Sequence, residues 1–230
     1  MPLRGGVAPR PRAAVRDRRA LLLLALPLAG GAGLAVHLLA DVDLRLAVAA
    51  LAGFGAAIWL VLVPRLPVAR RATIRRRVQV GAGCGLLATG AYDAARYGLV
   101  ALAQFSFEPF HVFALFGELF LGPGASPASR FAVGTLYHLL NGTGFGIAYL
   151  LAVRRPRVIT GLVWGVLLEL AMATLYPPWL RMQQLGEFLQ VSAAGHLVYG
   201  SVLGGLAGRW LAVGADPAGP SLPSAGQGAA

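Results

Sequence analysis

Residues 46–63 read Leu-Ala-Val-Ala-Ala-Leu-Ala-Gly-Phe-Gly-Ala-Ala-Ile-Trp-Leu-Val-Leu-Val, without an ionisable side chain, between Arg45 and Arg65. A bilayer core takes about 20 mainly apolar residues per helix. This stretch therefore predicts a transmembrane helix, and it sets the template for the chain around it. Five further apolar stretches fit the template, at 20–39, 78–101, 130–152, 158–177 and 189–212. The expected fold is an all-α integral membrane protein, a bundle of about six transmembrane helices forming one domain over 20–212. Composition agrees, since 57% of the 230 residues are apolar and 31 are Gly, which is outside the range of ordinary soluble domains.

The segments between these stretches divide the arginines unevenly. Six precede the first stretch, and Arg65, Arg70, Arg71, Arg75, Arg76 and Arg77 lie between the second and third. Arg154, Arg155 and Arg157 join the fourth to the fifth, and Arg209 closes the sixth, whereas the other connections hold only Arg45, Arg130 and Arg181. By the positive-inside rule both termini are cytoplasmic. Residues 1–19 then form a basic cytoplasmic segment. Residues 213–230, rich in Gly, Pro, Ser and Ala, form a disordered cytoplasmic tail. The Arg18-Arg19 pair before Leu21–Leu24 resembles a twin-arginine export signal, yet the charge pattern needs the first stretch to remain as an anchor.

The net charge of +11 does not point to nucleic acid, because the arginines flank apolar stretches and no polar domain is present to hold a strand. The lipid bilayer is the expected partner. Cys84 is the only cysteine and sits in an apolar run, so there is neither a disulfide framework nor a CxxC metal motif. Asn141-Gly142-Thr143 matches a glycosylation sequon but falls inside the fourth stretch.

Four ionisable residues lie within four of the apolar stretches: Asp93, His138, Glu169 and His196. Counted from the outer ends at 1.5 Å per residue, all four sit roughly 10–12 Å below the outer surface. Charge in hydrocarbon is costly, and such residues face a bundle interior or a wet cavity. Glu169 continues the row Gly161, Gly165, and His196 falls in the row Ser192, His196, Gly200, Gly204, Gly208. Rows of small residues are where membrane helices touch. His138 shares a face with Asn141, and Asp93 shares one with Arg96 and Tyr97. Asp93 and Arg96 are spaced to neutralise each other within one helix. His138, Glu169 and His196 have no such partner and must find one another, water or a ligand. These residue types suit a proton relay, a metal site for Zn, Fe or Cu formed by His138, Glu169 and His196, or axial haem ligation by the two histidines. No local motif such as HExxH assigns a cofactor or a catalytic residue.

Between the third and fourth stretches, residues 104–120 are too polar to cross a membrane and too apolar for a free loop. Ser106 before Glu108-Pro109 gives a helix start and Gly122-Pro123-Gly124 a stop, so an amphipathic interfacial helix is expected over about 106–121. Glu108, His111 and Glu118 project to one arc, and Phe110, Phe113, Phe116 and Phe120 to the other. Two readings fit this helix: a simple interfacial anchor, or a lid whose acidic arc, with Glu187, guards the polar layer. Tyr176-Pro177-Pro178-Trp179 is expected to stop the fifth helix.

From about residue 130 to 205 the order of motifs resembles the YagU-type family of uncharacterised bacterial inner-membrane proteins. The matching segments are Tyr137-His138, Phe145-Gly146-Ile147-Ala148-Tyr149, Gly161-Leu162 with Trp164-Gly165, Pro177-Pro178 and Gly195-His196-Leu197-Val198. The resemblance implies a multi-pass protein of the bacterial cytoplasmic (inner) membrane, linked to acid or envelope stress, and assigns no catalytic residue. Three functions fit the sequence. One is an outward-side polar layer that binds or conducts protons, a metal ion or a small solute. Another is an intramembrane metal- or haem-dependent enzyme. The third is a non-catalytic assembly partner, docking a second copy or a membrane partner through Gly200, Gly204 and Gly208. The absence of a clear internal repeat weighs against a transporter, and no motif weighs for an enzyme.

Overall fold

The computed structural model describes residues 21–180 and 184–213. Among them are seven α-helices and one short 3-10 turn, with no β-strand. The basic segment 1–19 and the chain from residue 214 onward lie outside the described residues, as does Arg181.

The stretch 20–39 is helical mainly as α1 (Ala29–Ala40), with residues 23–28 in successive turns. Pro27 explains the difference. It has no N–H, so the Leu23 carbonyl, four residues back, loses its helical donor. The Trp59 indole Nε1–H donates to that carbonyl at 3.0 Å instead. Asp41 ends α1 in the left-handed region (φ 55°), its N–H donating to the His37 carbonyl at 3.0 Å. Asp43 then caps α2 (Leu44–Leu62), its carboxylate accepting from the Arg45 and Leu46 N–H groups at 2.9 and 3.3 Å. The Arg45 side chain, hydrogen-bonded to the same carboxylate at 2.7 Å, holds the Asp43 carboxyl down at about 2.

After the turn Val63–Arg65, α3 runs from Val68 to Ala103. Its 36 residues span about 54 Å. It begins well before the expected 78 and takes in Arg70, Arg71 and Arg75–Arg77. Helix α4 covers His111–Leu121, not 106–121. Glu108 precedes Pro109 and is thereby biased away from helical backbone, which moves the start past Ser106. Gly122, at φ 82°, ends α4 where the sequence signals a stop. The aromatic side of α4 does not form an outward anchor: Phe113 and Phe116 are buried with Leu34, Leu44 and Tyr137.

Helix α5 (Pro127–Ala152) opens on Ser126, whose Oγ accepts from the Ser129 N–H at 3.1 Å, with Pro127 where a missing N–H costs nothing. Helix α6 (Val158–Leu180) continues through Pro177 and Pro178 rather than stopping there. Packing carries this last turn, since Trp179 stacks on Phe116 at 6.0 Å and Tyr176 meets both rings. Helix α7 (Leu185–Val213) completes the fold.

Helix α3 is central, packed on α5 and α7, with α6 against α7, α4 against α5, and α1 paired with α2. The closest approaches rest on glycine. A Cβ on Gly161 would run into the Gly200 carbonyl oxygen, and one on Gly165 into that of His196. The row Gly200, Gly204 is thus covered by α6 within the chain, and Gly208 lies beside Pro156. At one end of the bundle, Arg76 donates to the Trp210 and Leu211 carbonyls, and Arg77 to those of Leu150, Val153 and Arg154. These bonds engage carbonyls near the end of α7, at the end of α5 and in the turn just beyond it. By length and composition, Leu44–Arg65 and Val158–Trp179 are each sufficient to cross a membrane.

Candidate functional site

Tyr92, Asp93 and Arg96 occupy one turn of α3, His138 lies on α5, Glu169 on α6, and Ser192 and His196 on α7. The α3–α5 and α6–α7 contacts bring these residues together as two imidazole–carboxylate pairs. His138 Nε2 lies 3.0 Å from Asp93 Oδ2, and His196 Nδ1 lies 2.8 Å from Glu169 Oε2. Ser192 donates its hydroxyl to the same Glu169 oxygen. Each carboxylate therefore leans on a neighbouring helix, which offsets the cost of removing it from water. A carboxylate that accepts from one ring nitrogen also fixes the orientation of the ring. The nitrogens not engaged by a carboxylate are Nδ1 of His138 and Nε2 of His196.

Arg96 is only 4% exposed. Its Nη1 lies 3.6 Å from Asp93 Oδ1, its Nη2 donates to the Pro109 carbonyl at 2.6 Å, and its guanidinium carbon lies 4.9 Å from the Tyr92 ring centroid. The local Asp93–Arg96 pair thus exists, but it also ties α3 to the segment before α4. The Tyr92 ring lies between the pairs, 4.9 Å from the His196 ring in edge contact and 5.9 Å from that of His138.

Both imidazoles border a cavity of about 230 Å³. Thr89, Tyr92, Asn141, Tyr176 and Tyr199 supply its other polar groups, and Leu34, Phe145, Leu168, Met172 and Leu175 much of its apolar wall. Asp93 and Glu169 do not line it, so only their imidazole partners do. A smaller space of about 60 Å³ lies toward α4, lined in part by Arg96, Glu108, His111 and Phe188, and shares Tyr92, Phe116, His138, Met172 and Tyr176 with the first.

Several expected site residues fall elsewhere. Tyr97 is 62% exposed and stacks on Phe110, since it lies about 100° around the helix from Arg96. Glu118 pairs with Arg130 at 2.7 Å rather than facing the layer. Glu187 accepts from the Phe107 N–H at 2.8 Å and anchors the segment before α4. Of the expected lid residues, Glu108 and His111 border the smaller space toward α4.

His138, Glu169 and His196 do not converge as one ligand set. Among the described residues no three His, Cys, Asp or Glu side chains are grouped to hold a metal ion. The sequence reading missed Tyr92, Thr89, Tyr176 and Tyr199. Tyr92 carried a usable signal, since it precedes Arg96 by four residues, the spacing that lays a cation over a ring on one helix face. Compared with known proteins, no family model matches this chain, no curated protein matches it, and no solved structure matches it.

Proposed function

We propose that this chain is a multi-pass membrane protein that binds a small, mainly apolar solute in the 230 Å³ cavity, where two carboxylate-backed imidazoles exchange protons with it. The membrane placement draws support from the perimeter. Leu60 is 76% and Leu102 86% exposed, and α2, α3, α5, α6 and α7 all carry further exposed large apolar side chains. Soluble monomers rarely expose apolar surface so extensively. The six spans, the cytoplasmic termini and the inner-membrane location belong to this proposal, and the motif resemblance to YagU-type proteins supports them.

The observation that carries the functional reading is geometric. Two imidazoles from different helices border one cavity, and each is hydrogen-bonded to a carboxylate of a neighbouring helix that does not line it. An apolar chamber with a few convergent polar groups is the usual form of a small-molecule site. An imidazole oriented by a carboxylate can accept or donate a proton there.

The test is mass spectrometry of small molecules that co-purify with the detergent-solubilised protein. Wild type should carry a defined compound. Ala35→Phe with Ala171→Phe, which fill the lining, should lose it, and His196→Gln should retain it about tenfold less well if the imidazole hydrogen bond contributes a typical energy. The same compounds at the same levels in all three proteins would refute the reading.

A further inference from the structure

His196 Nδ1 lies 2.8 Å from Glu169 Oε2 and 3.2 Å from the Ser192 carbonyl oxygen, one turn back on α7. A carbonyl only accepts, so Nδ1 carries the proton, and in the neutral ring Nε2 is a bare acceptor. The other ring is turned the opposite way. His138 Nε2 faces Asp93 at 3.0 Å, which leaves its Nδ1 as the acceptor. The buried side-chain atoms without a hydrogen-bond partner are Asp93 Oδ1, Arg96 Nε, Arg130 Nε and Trp164 Nε1. Neither ring nitrogen is among them, so both are open to the spaces their rings border. With neutral imidazoles the site therefore offers acceptors and selects a solute that donates.

The charges beside the cavity do not balance. Arg96 Nη1 stands 3.6 Å from Asp93 Oδ1, and these two offset each other. Glu169 is left over. Its polar partners are the Ser192 hydroxyl and His196, and neither carries a charge while the imidazole is neutral. On the cavity wall α1 contributes only Gly31, Leu34 and Ala35, and toward α4 the nearest titratable residues, Glu108 and His111, are exposed. An enclosed, uncompensated carboxylate is costly and attracts a cation. The wall suits one, because Tyr92, Phe116, Phe145, Tyr176 and Tyr199 line the same cavity and aromatic faces attract positive charge.

We propose that the solute is a protonated amine with an apolar body, its N–H donating to His196 Nε2 and its charge balancing Glu169. This names the substrate class for the solute-binding reading above and rests on it.

The experiment titrates the full chain by calorimetry in an uncharged detergent, at about pH 8, above the usual imidazole range and below that of an alkylamine. The probes are phenethylamine, phenethyl alcohol and phenylacetate, which share one apolar body. The amine should bind about tenfold more tightly than the alcohol, and phenylacetate most weakly, because a charge-assisted hydrogen bond exceeds a neutral one. Glu169→Gln should abolish the advantage of the amine. That advantage is a ratio of affinities within one sample, so a smaller folded fraction leaves it unchanged. Ala35→Phe with Ala171→Phe should lose all three probes. Equal binding of amine and alcohol, tightest binding of phenylacetate, or an undiminished advantage in Glu169→Gln overturns the amine assignment and leaves the cavity reading standing. Binding that survives the two phenylalanines lies outside the cavity and overturns the assignment. Binding of none of the three also overturns it, and the co-purification experiment above then decides the cavity reading separately.

Discussion

At the scale of single residues, the structure turns a layer of four ionisable groups into two coupled pairs. Glu169 is shared by Ser192 and His196, and Asp93 by His138 and Arg96. Groups that share a hydrogen-bond network respond non-additively, typically by about 0.5–3 kcal/mol. His196→Ala and Glu169→Gln together should therefore cost less stability than the sum of the single changes, whereas His138→Ala with Glu169→Gln should add to within about 0.5 kcal/mol. Unfolding in mixed detergent measures both cycles. Strict additivity for Glu169 and His196 would mean that the pair contributes nothing jointly. Depth and helical phase made these residues legible in the sequence, because burial of charge leaves few alternatives. Which acid serves which imidazole was not legible, since it depends on the rotation of α3 against α5 and of α6 against α7. A single helix carries no record of its neighbour's rotation.

At the scale of helices, the small-residue rows were readable as contact faces but not as to what they contact. Gly161 and Gly165 meet Gly200 and the His196 carbonyl, so the row on α7 joins helices of one chain. The contact is also what brings Glu169 within 2.8 Å of His196, one turn beyond Gly165. Gly161→Ala should then force α6 and α7 apart and cost about 1–3 kcal/mol, as overpacking does. Gly90→Ala is the control. A Cβ there meets nothing within 4 Å, and the change should be neutral or stabilise by about 0.5–1 kcal/mol through helix propensity. Thermal unfolding in detergent compares them, and equal effects would show that the glycine contact is not tight. The two boundary differences, at Pro27 and at Pro177-Pro178, run in opposite directions. Pro27 interrupts a stretch that its apolar run alone marks as one helix, with the Trp59 indole donating to the freed carbonyl, whereas α6 continues through Pro177-Pro178 on the Phe116–Trp179 stack. Both compensations come from residues distant in sequence.

At the scale of the whole molecule, the arrangement of helix ends gives the charge pattern a geometry. Arg76 and Arg77 on α3 reach the ends of both α5 and α7, so the start of α3, the turn into α6 and the end of α7 occupy one end of the bundle. The imidazole–carboxylate pairs lie toward the other end of α3, as do α4 and the segment that Glu187 anchors. On the proposed membrane placement, the positive-inside rule makes the arginine end cytoplasmic. Reporter fusions after residues 70, 156 and 215 should then read cytoplasmic, and fusions near 42, 125 and 184 external. The fusion at 156 is the most discriminating, because it lies within the turn that carries Arg154, Arg155 and Arg157 and beside the ends of three helices. An external reading there would invert the molecule. It would place the 230 Å³ cavity in the inner half of the bilayer and turn the arginine-rich end outward, against the charge asymmetry that orients membrane proteins.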